Sequence, residues 1–260
     1  MDKTTTLVMG IVNVTPDSFS DGGRFLEPSR ALEHALGLVS EGADILDIGA
    51  ESTRPGHTPV NSEDEWSRLQ PLLSEIGAHT SVPISIDTYK ASTARRAVEA
   101  GASIVNDVWG GLADPEILAV AAEANCTYIW MHNRPSPAAE DGFRVLLDET
   151  RAGIERCLQA GIAKEKLWID PGIGFGKTHA QNLEVLRRLD EYVALGYPVL
   201  VGASRKRVVG MTVGGAPADR LEGSLAIAAF AAEHGARIVR VHDVAATVKT
   251  CRMIEAICHA

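Results

Sequence analysis

The sequence predicts a (β/α)8 barrel. Three observations carry this: eight short, β-rich apolar runs, a helical stretch after each, and a recurrent Gly-containing turn leading into the next run. A doubly wound open sheet is the competing arrangement of the same elements. No linker, low-complexity tract or composition break divides the 260 residues. Residues 1–260 are therefore expected to form a single domain, with long loops after strands 1 and 2.

The strand runs are LVMGIV (7–12), DILDIG (44–49), PISIDT (83–88), SIVNDV (103–108), TYIWMH (127–132), LWID (167–170), PVLVGA (198–203) and RIVRVH (237–242). They are nearly continuous in apolar residues and do not alternate, the mark of strands covered on both faces. The helical stretches lie at 29–42, 63–77, 91–101, 114–124, 145–161, 181–196, 219–235 and 246–258. Several end in Gly, the usual residue just past a helix. EGAD, EAGAS, QAGIA and EHGAR form the repeated helix-to-strand turn.

Hydrophobic residues make up 45% of the chain and charged residues 23%, ordinary values for a soluble globular protein with a sizeable core. A formal net charge of −9 argues against binding nucleic acid irrespective of sequence, or an anionic membrane. It leaves room for a local basic pocket. Cys126, Cys157, Cys251 and Cys258 form no C-x-x-C pair and read as buried thiols in a reducing compartment. The apolar run near the N-terminus is too short for a signal sequence, and no segment approaches the length of a membrane span. A cytoplasmic location is expected.

In a barrel of this class, chemistry sits at the C-terminal ends of the strands. Every run here ends in a polar or ionisable residue: Asn13, the ESTRPG segment (51–56), Asp87, Asn106 with Asp107, His132, Asp170, GASRKR (202–207), and Arg240 with His242 and Asp243. Any single Asp or Asn after a strand is readily a helix cap, and Asp107 and Asp243 stay open to that reading. Eight such residues on one rim are hard to explain as caps. Asp87, Asn106, Asp170 and Lys206 offer the paired donors and acceptors that read the edges of a flat polar heterocycle. Arg54, Arg240 and His242, with Asn13 and Thr53, suit a polyanion such as a diphosphate. The Asn13 amide oxygen suits Mg2+, which keeps several waters and takes substrate phosphate oxygens.

The stretch DPGIGFGKT (170–178) invites comparison with a phosphate-binding P-loop. That pattern requires Gly at position 171, where the chain has Pro171, a residue with no N–H to donate. A glycine turn before a helix remains open for this segment. Two further loops, 13–28 and 50–62, are rich in Gly, Ser and Pro. Their composition predicts segments that order when an anion docks. Phe19 is a large apolar residue within the first of them.

MGIVNVTPDSFSDGG (9–23), DIGAESTRPG (47–56), ISIDT (84–88), NDV (106–108), MH (131–132), DPGIGFGKT (170–178), GASRK (202–206) and RVHDV (240–244) together resemble the dihydropteroate synthases, along the whole chain. The resemblance implies a (β/α)8 barrel, usually a homodimer, that condenses 6-hydroxymethyl-7,8-dihydropterin diphosphate with p-aminobenzoate, uses Mg2+, and is the target of sulfonamides. It implies pterin contacts at Asp87, Asn106, Asp170 and Lys206. Diphosphate contacts fall on Asn13, Thr53, Arg54, Arg240 and His242, with Asn13 also at the metal. The aminobenzoate pocket falls on Phe19, Thr53, Pro55, Phe175 and Ser204. Lys177 is then incidental. Two departures stand out: NRPSPAAEDG follows Met131-His132 where a Met/Gln/Gly stretch is common, and Ala50 stands where Gly is common.

The chemistry so implied breaks a methylene–oxygen bond. Asp21 is placed to stabilise the developing cation, and Asp17 to order its loop. Spacing suggests no His partner for Ser204, so no covalent intermediate is expected. The alternatives are another pterin-binding barrel, such as a methyltetrahydrofolate methyltransferase, or a catalytically inactive pterin-binding protein.

Overall fold

The structure, a computed structural model, describes residues 5–15, 27–51, 59–139, 141–258 and 260. Eight parallel strands run in the order β6-β5-β4-β3-β2-β1-β8-β7. They are β1 (Leu7–Asn13), β2 (Ile45–Gly49), β3 (Ile84–Asp87), β4 (Ile104–Asp107), β5 (Thr127–Met131), β6 (Leu167–Asp170), β7 (Leu200–Val201) and β8 (Ile238–Val241). A lone parallel bridge, Ile169 to Val199, joins β6 to the β7 edge and closes the ring. The expected barrel is therefore the observed one, and the open sheet is excluded.

Helices α1 (Glu27–Ser40), α2 (Ser62–His79), α3 (Ala91–Glu99), α4 (Glu116–Glu123) and α5 (Gly142–Gln159) follow the first five strands. The predicted helix at 181–196 is two: α6 (His179–Arg187) and α7 (Leu189–Val193). A helix that the sequence reading missed, α8 (Arg207–Val213), precedes α9 (Leu221–Glu233), and α10 (Val244–Cys258) follows β8. Strict one-to-one alternation is thus corrected at these two places. The α8 sequence, RVVGMTV, is β-branched and short, so its local propensity favours no helix. The predicted turns hold: Gly42, Gly101, Gly161 and Gly235 all have positive φ.

The period of two along each strand divides the core. Val8, Leu46, Ile86, Val105, Tyr128, Ile169 and Val239 point outward into the layer between strands and helices. Met9, Ile45, Ile104, Ile129, Leu200 and Ile238 fill the barrel interior. Two residues further along the same strands, the inward positions become Asp47, Asn106 and Arg240, joined by Asp87 on β3 and Asp170 on β6. An apolar plug therefore floors a polar mouth. Beside that mouth, Lys90 is ion-paired with Glu51 and Glu65, and Arg68 donates to the Ala50 carbonyl at 3.0 Å.

Candidate active site

Arg240 organises the mouth. Its Nε donates to Asp47 Oδ2 at 2.5 Å and its Nη2 to Asp87 Oδ2 at 2.6 Å. Asn106 Nδ2 donates to the same Asp47 oxygen at 3.1 Å. Asp47, fully buried, is a residue of the mouth that the sequence reading missed. The available signal was a lone carboxylate in the middle of the apolar run ILDIG. One guanidinium serves two carboxylates, so with both ionised the trio carries a net negative charge. Burial, first, and the neighbouring Asp47 charge push the Asp87 carboxyl up to about 7, against the pull of Arg240. Among the described residues, Asp47 Oδ1, Asp87 Oδ1 and Ser85 Oγ are buried without a hydrogen-bond partner. Orphaned acceptors at this depth are costly unless a ligand or water meets them.

Asp170 Oδ1 accepts the Gly172 amide at 2.7 Å, which fixes the carboxylate at the mouth. Burial raises its pKa, opposed by Lys206 and by the Gly172 bond. Lys206 Nζ donates to the Ile173 carbonyl at 2.7 Å and lies 4.5 Å from the Phe175 ring centroid. Burial draws the ammonium down to about 8, opposed by Asp170. The four residues expected to read a heterocycle thus gather within one charge network.

Ser204 and His242 correct an expectation. Ser204 Oγ is 3.1 Å from His242 Nδ1 and accepts the His242 amide at 3.2 Å, so the serine does have a histidine partner. Thirty-eight residues separate them, and only closure of β7 against β8 brings them together. With the hydroxyl oxygen accepting the amide, its proton is available for Nδ1. Nearby, Arg205 (φ 58°) is held left-handed by an ion pair to Asp243, with contacts of 2.5 and 3.0 Å, and by the Ser224 hydroxyl. This over-determination offsets the strain and aims Lys206 inward. Asp243 thereby has a structural role. So has Asp107, which accepts the Trp109 and Gly111 amides and the Tyr128 hydroxyl.

The DPGIGFGKT segment is no P-loop. Gly172 (φ 67°) lies so close to the β5 end that a Cβ there would sit 1.9 Å from the His132 carbonyl oxygen. Lys177 turns inward to three acceptors rather than out towards a phosphate, so it is not incidental. The departing loop after His132 is tied by Asn133 to Val108, Arg134 to Glu149, and Gln181 to Ala138. Ala50 is buried and lies outside the positive-φ residues, so its methyl group is tolerated. Asn13 ends β1 on the same rim, half-buried and opposite Gly49. Its amide is a single neutral oxygen donor, which fits an ion held mainly by phosphate and water. Phe19, Asp21, Thr53, Arg54 and Pro55, with Asp17, lie outside the described residues.

The sequence profile described as "Pterin binding enzyme" matches residues 9–242. The dihydropteroate synthase of Bacillus subtilis is 46% identical over 254 residues, 98% of this chain and 89% of that one. The chain belongs to the dihydropteroate synthase family. Among solved dihydropteroate synthases, that of Clostridium difficile, in the presence of pteroic acid, superposes with a TM-score of 0.96 at 44% identity, covering 99% of this chain and 98% of its own. The Xanthomonas albilineans dihydropteroate synthase with 4-aminobenzoic acid gives 0.96 at 43%, covering 99% and 95%. No helix among the described residues is long and apolar enough to cross a membrane.

Proposed function

We propose that this barrel condenses 6-hydroxymethyl-7,8-dihydropterin diphosphate with p-aminobenzoate, releasing 7,8-dihydropteroate and diphosphate. The observation that carries the reading is the mouth itself, where Asp87, Asn106, Asp170 and Lys206 converge around buried acceptors that have no partner among the described residues. A pterin presents an amino group and ring N–H groups along one edge, the donors that such carboxylates lack. Membership of the family supports the same substrates, since a related enzyme was solved with 7,8-dihydropteroate.

The bond broken joins a methylene carbon to a diphosphate oxygen. Positive charge on that carbon spreads into the electron-rich dihydropterin, so departure of the diphosphate leads. Arg240 and His242, with Arg54, Thr53 and Asn13, are assigned to the diphosphate. Mg2+, held by Asn13 and the phosphate oxygens, would neutralise leaving-group charge. The aryl amine is neutral at pH 7 and attacks without a strong base. The Ser204–His242 bond links a residue assigned to the aminobenzoate with one assigned to the diphosphate, and acts in positioning. Asp21 is assigned to the developing cation. Phe175, with Phe19 and Pro55, would wall the aminobenzoate, and a sulfonamide of the same shape would compete there. Diphosphate release that requires both substrates tests the reading; release with either one alone, or none, refutes it. Transfer of a methyl group from methyltetrahydrofolate would favour the other pterin-binding barrels.

A further inference from the structure

Lys177 lies on the loop between β6 and α6, behind the mouth rather than in it. Its Nζ meets His132 Nδ1 at 2.9 Å, the Gly172 carbonyl at 3.0 Å and the Phe175 carbonyl at 3.1 Å. Burial draws the ammonium down to about 7, opposed by Asp170; while protonated it has three protons, and here each has an acceptor. His132 is itself buried and braced on its far side, with Nε2 2.9 Å from Glu149. The loop is thus gripped from two sides. Lys177 draws the Gly172 and Phe175 carbonyls backward, and Lys206 draws the Ile173 carbonyl, between them, towards the mouth. Ile173 is buried in the core and the Gly174 amide donates to Asn182 Oδ1 at 2.7 Å; the flanking glycines have no side chain to pack, so the Lys177 bonds hold the loop at Gly172 and Phe175.

We propose that Lys177 is a positioning residue for the condensation, fixing the 170–176 loop so that Asp170 and the Phe175 ring meet their substrates in place. This rests on the function proposed above. It assigns Lys177 no contact with substrate. Its effect travels through Gly172, whose amide holds Asp170, and through Phe175, whose ring lies under Lys206.

The test compares wild type with Lys177→Met, and with Lys177→Arg as a variant that keeps a charged multiple donor. Lys177→Met is expected to raise KM for both substrates about tenfold while kcat falls less than about threefold, the mark of lost ground-state positioning. Lys177→Arg should recover at least half of that rise on a logarithmic scale. In the ligand-free proteins, amide hydrogen exchange at residues 172–176 should be about tenfold faster in Lys177→Met, with the strands unchanged. A purely structural role would lower the active fraction, and so kcat, with both KM values unmoved; that result, or unchanged exchange in the loop, overturns the proposal. Should Lys177→Met not fold, Lys177→Gln is measured by the same two criteria. If wild type releases no diphosphate, the proposed function falls, and the exchange comparison alone decides the role of Lys177.

Discussion

Arg240 Nη2 lies 2.6 Å from Asp87 Oδ2, while the same guanidinium holds Asp47 through Nε. The carboxylate assigned to the pterin is therefore tied to a cation assigned to the diphosphate, and titration of Asp87 would govern both. Asp87 is pushed up to about 7, chiefly by burial, and Lys206 drawn down to about 8, again chiefly by burial. Below the first value Asp87 is neutral and loses acceptor strength; above the second, Lys206 loses its charge. The expected kcat/KM for the pterin substrate is bell-shaped, highest between these values, falling about tenfold per pH unit on either side. Lys206→Arg should move the alkaline limb out of range. A flat profile from pH 6 to 9, or an unmoved limb in that variant, would contradict the assignment.

Asp170→Asn and Asp87→Asn should both abolish measurable pterin binding, but at different structural cost. An amide puts a donor where the pterin offers donors, at a penalty of about 1–3 kcal/mol or more for a charged partner. Among the described residues the Asp170 carboxylate hydrogen-bonds the Gly172 amide alone, which an amide oxygen still serves, so the melting temperature of Asp170→Asn should hold. Asp87→Asn weakens an Arg240 bond and should melt earlier. Calorimetric titration with the pterin and thermal denaturation decide; wild-type affinity in either variant removes that residue from the site.

Gly172→Ala should be more damaging than any surface change in the same loop. The methyl carbon would fall 1.9 Å from the His132 carbonyl oxygen at a φ of 67°, so the loop must leave its place. A loss of at least about 3 kcal/mol of stability or complete loss of pterin binding is expected. Denaturant unfolding and titration would measure it, and a variant unchanged in both would refute the close approach.

Aminobenzoate should bind at least about tenfold more tightly when Mg2+ and diphosphate are present, a coupling of about 1.4 kcal/mol. Thr53 is assigned to both ligands, and Arg54 and Pro55 adjoin it. Arg54→Ala should weaken that coupling more than it weakens binding of the bare pterin. Equal aminobenzoate affinity with and without Mg2+-diphosphate would show the pocket to be complete beforehand.

A homodimer is expected through the late helices. Met211 and Val213 on α8, and Met253 and Ile257 on α10, are large apolar residues left exposed, beside the alanine-rich α9. Sedimentation at micromolar concentration should give twice the chain mass, and Met253→Glu should shift it towards the monomer. A monomeric wild type would defeat this.

The sequence made the scaffold legible because strand burial and helix punctuation are local signals. All eight strands fall within two residues of the expected runs, β7 being the most shortened, with only Leu200–Val201 of 198–203 in strand. The residues at strand ends were equally legible, since a barrel gives such ends one destination. Partnership was not. Asp47 looked like part of an apolar run, and its role depends on Arg240, 193 residues away. Ser204 and His242 have no sequence spacing that announces a pair. Lys177 looked incidental because two of its three acceptors are backbone carbonyls, which every residue carries, and the third, His132, is 45 residues away.

The ring closes between β6 and β7 through a single bridge, Ile169 to Val199, and β7 itself has only two residues. Directly above this seam stand Asp170 on one lip and Ser204 on the other. A compound that grips the Asp170 carboxylate with one end and the Ser204 side with the other would span the barrel's thinnest join like a suture. Such a molecule would gain affinity from both half-sites and also hold shut the line along which the barrel is least reinforced. Its protection against heating should therefore exceed that of the two separate fragments bound together.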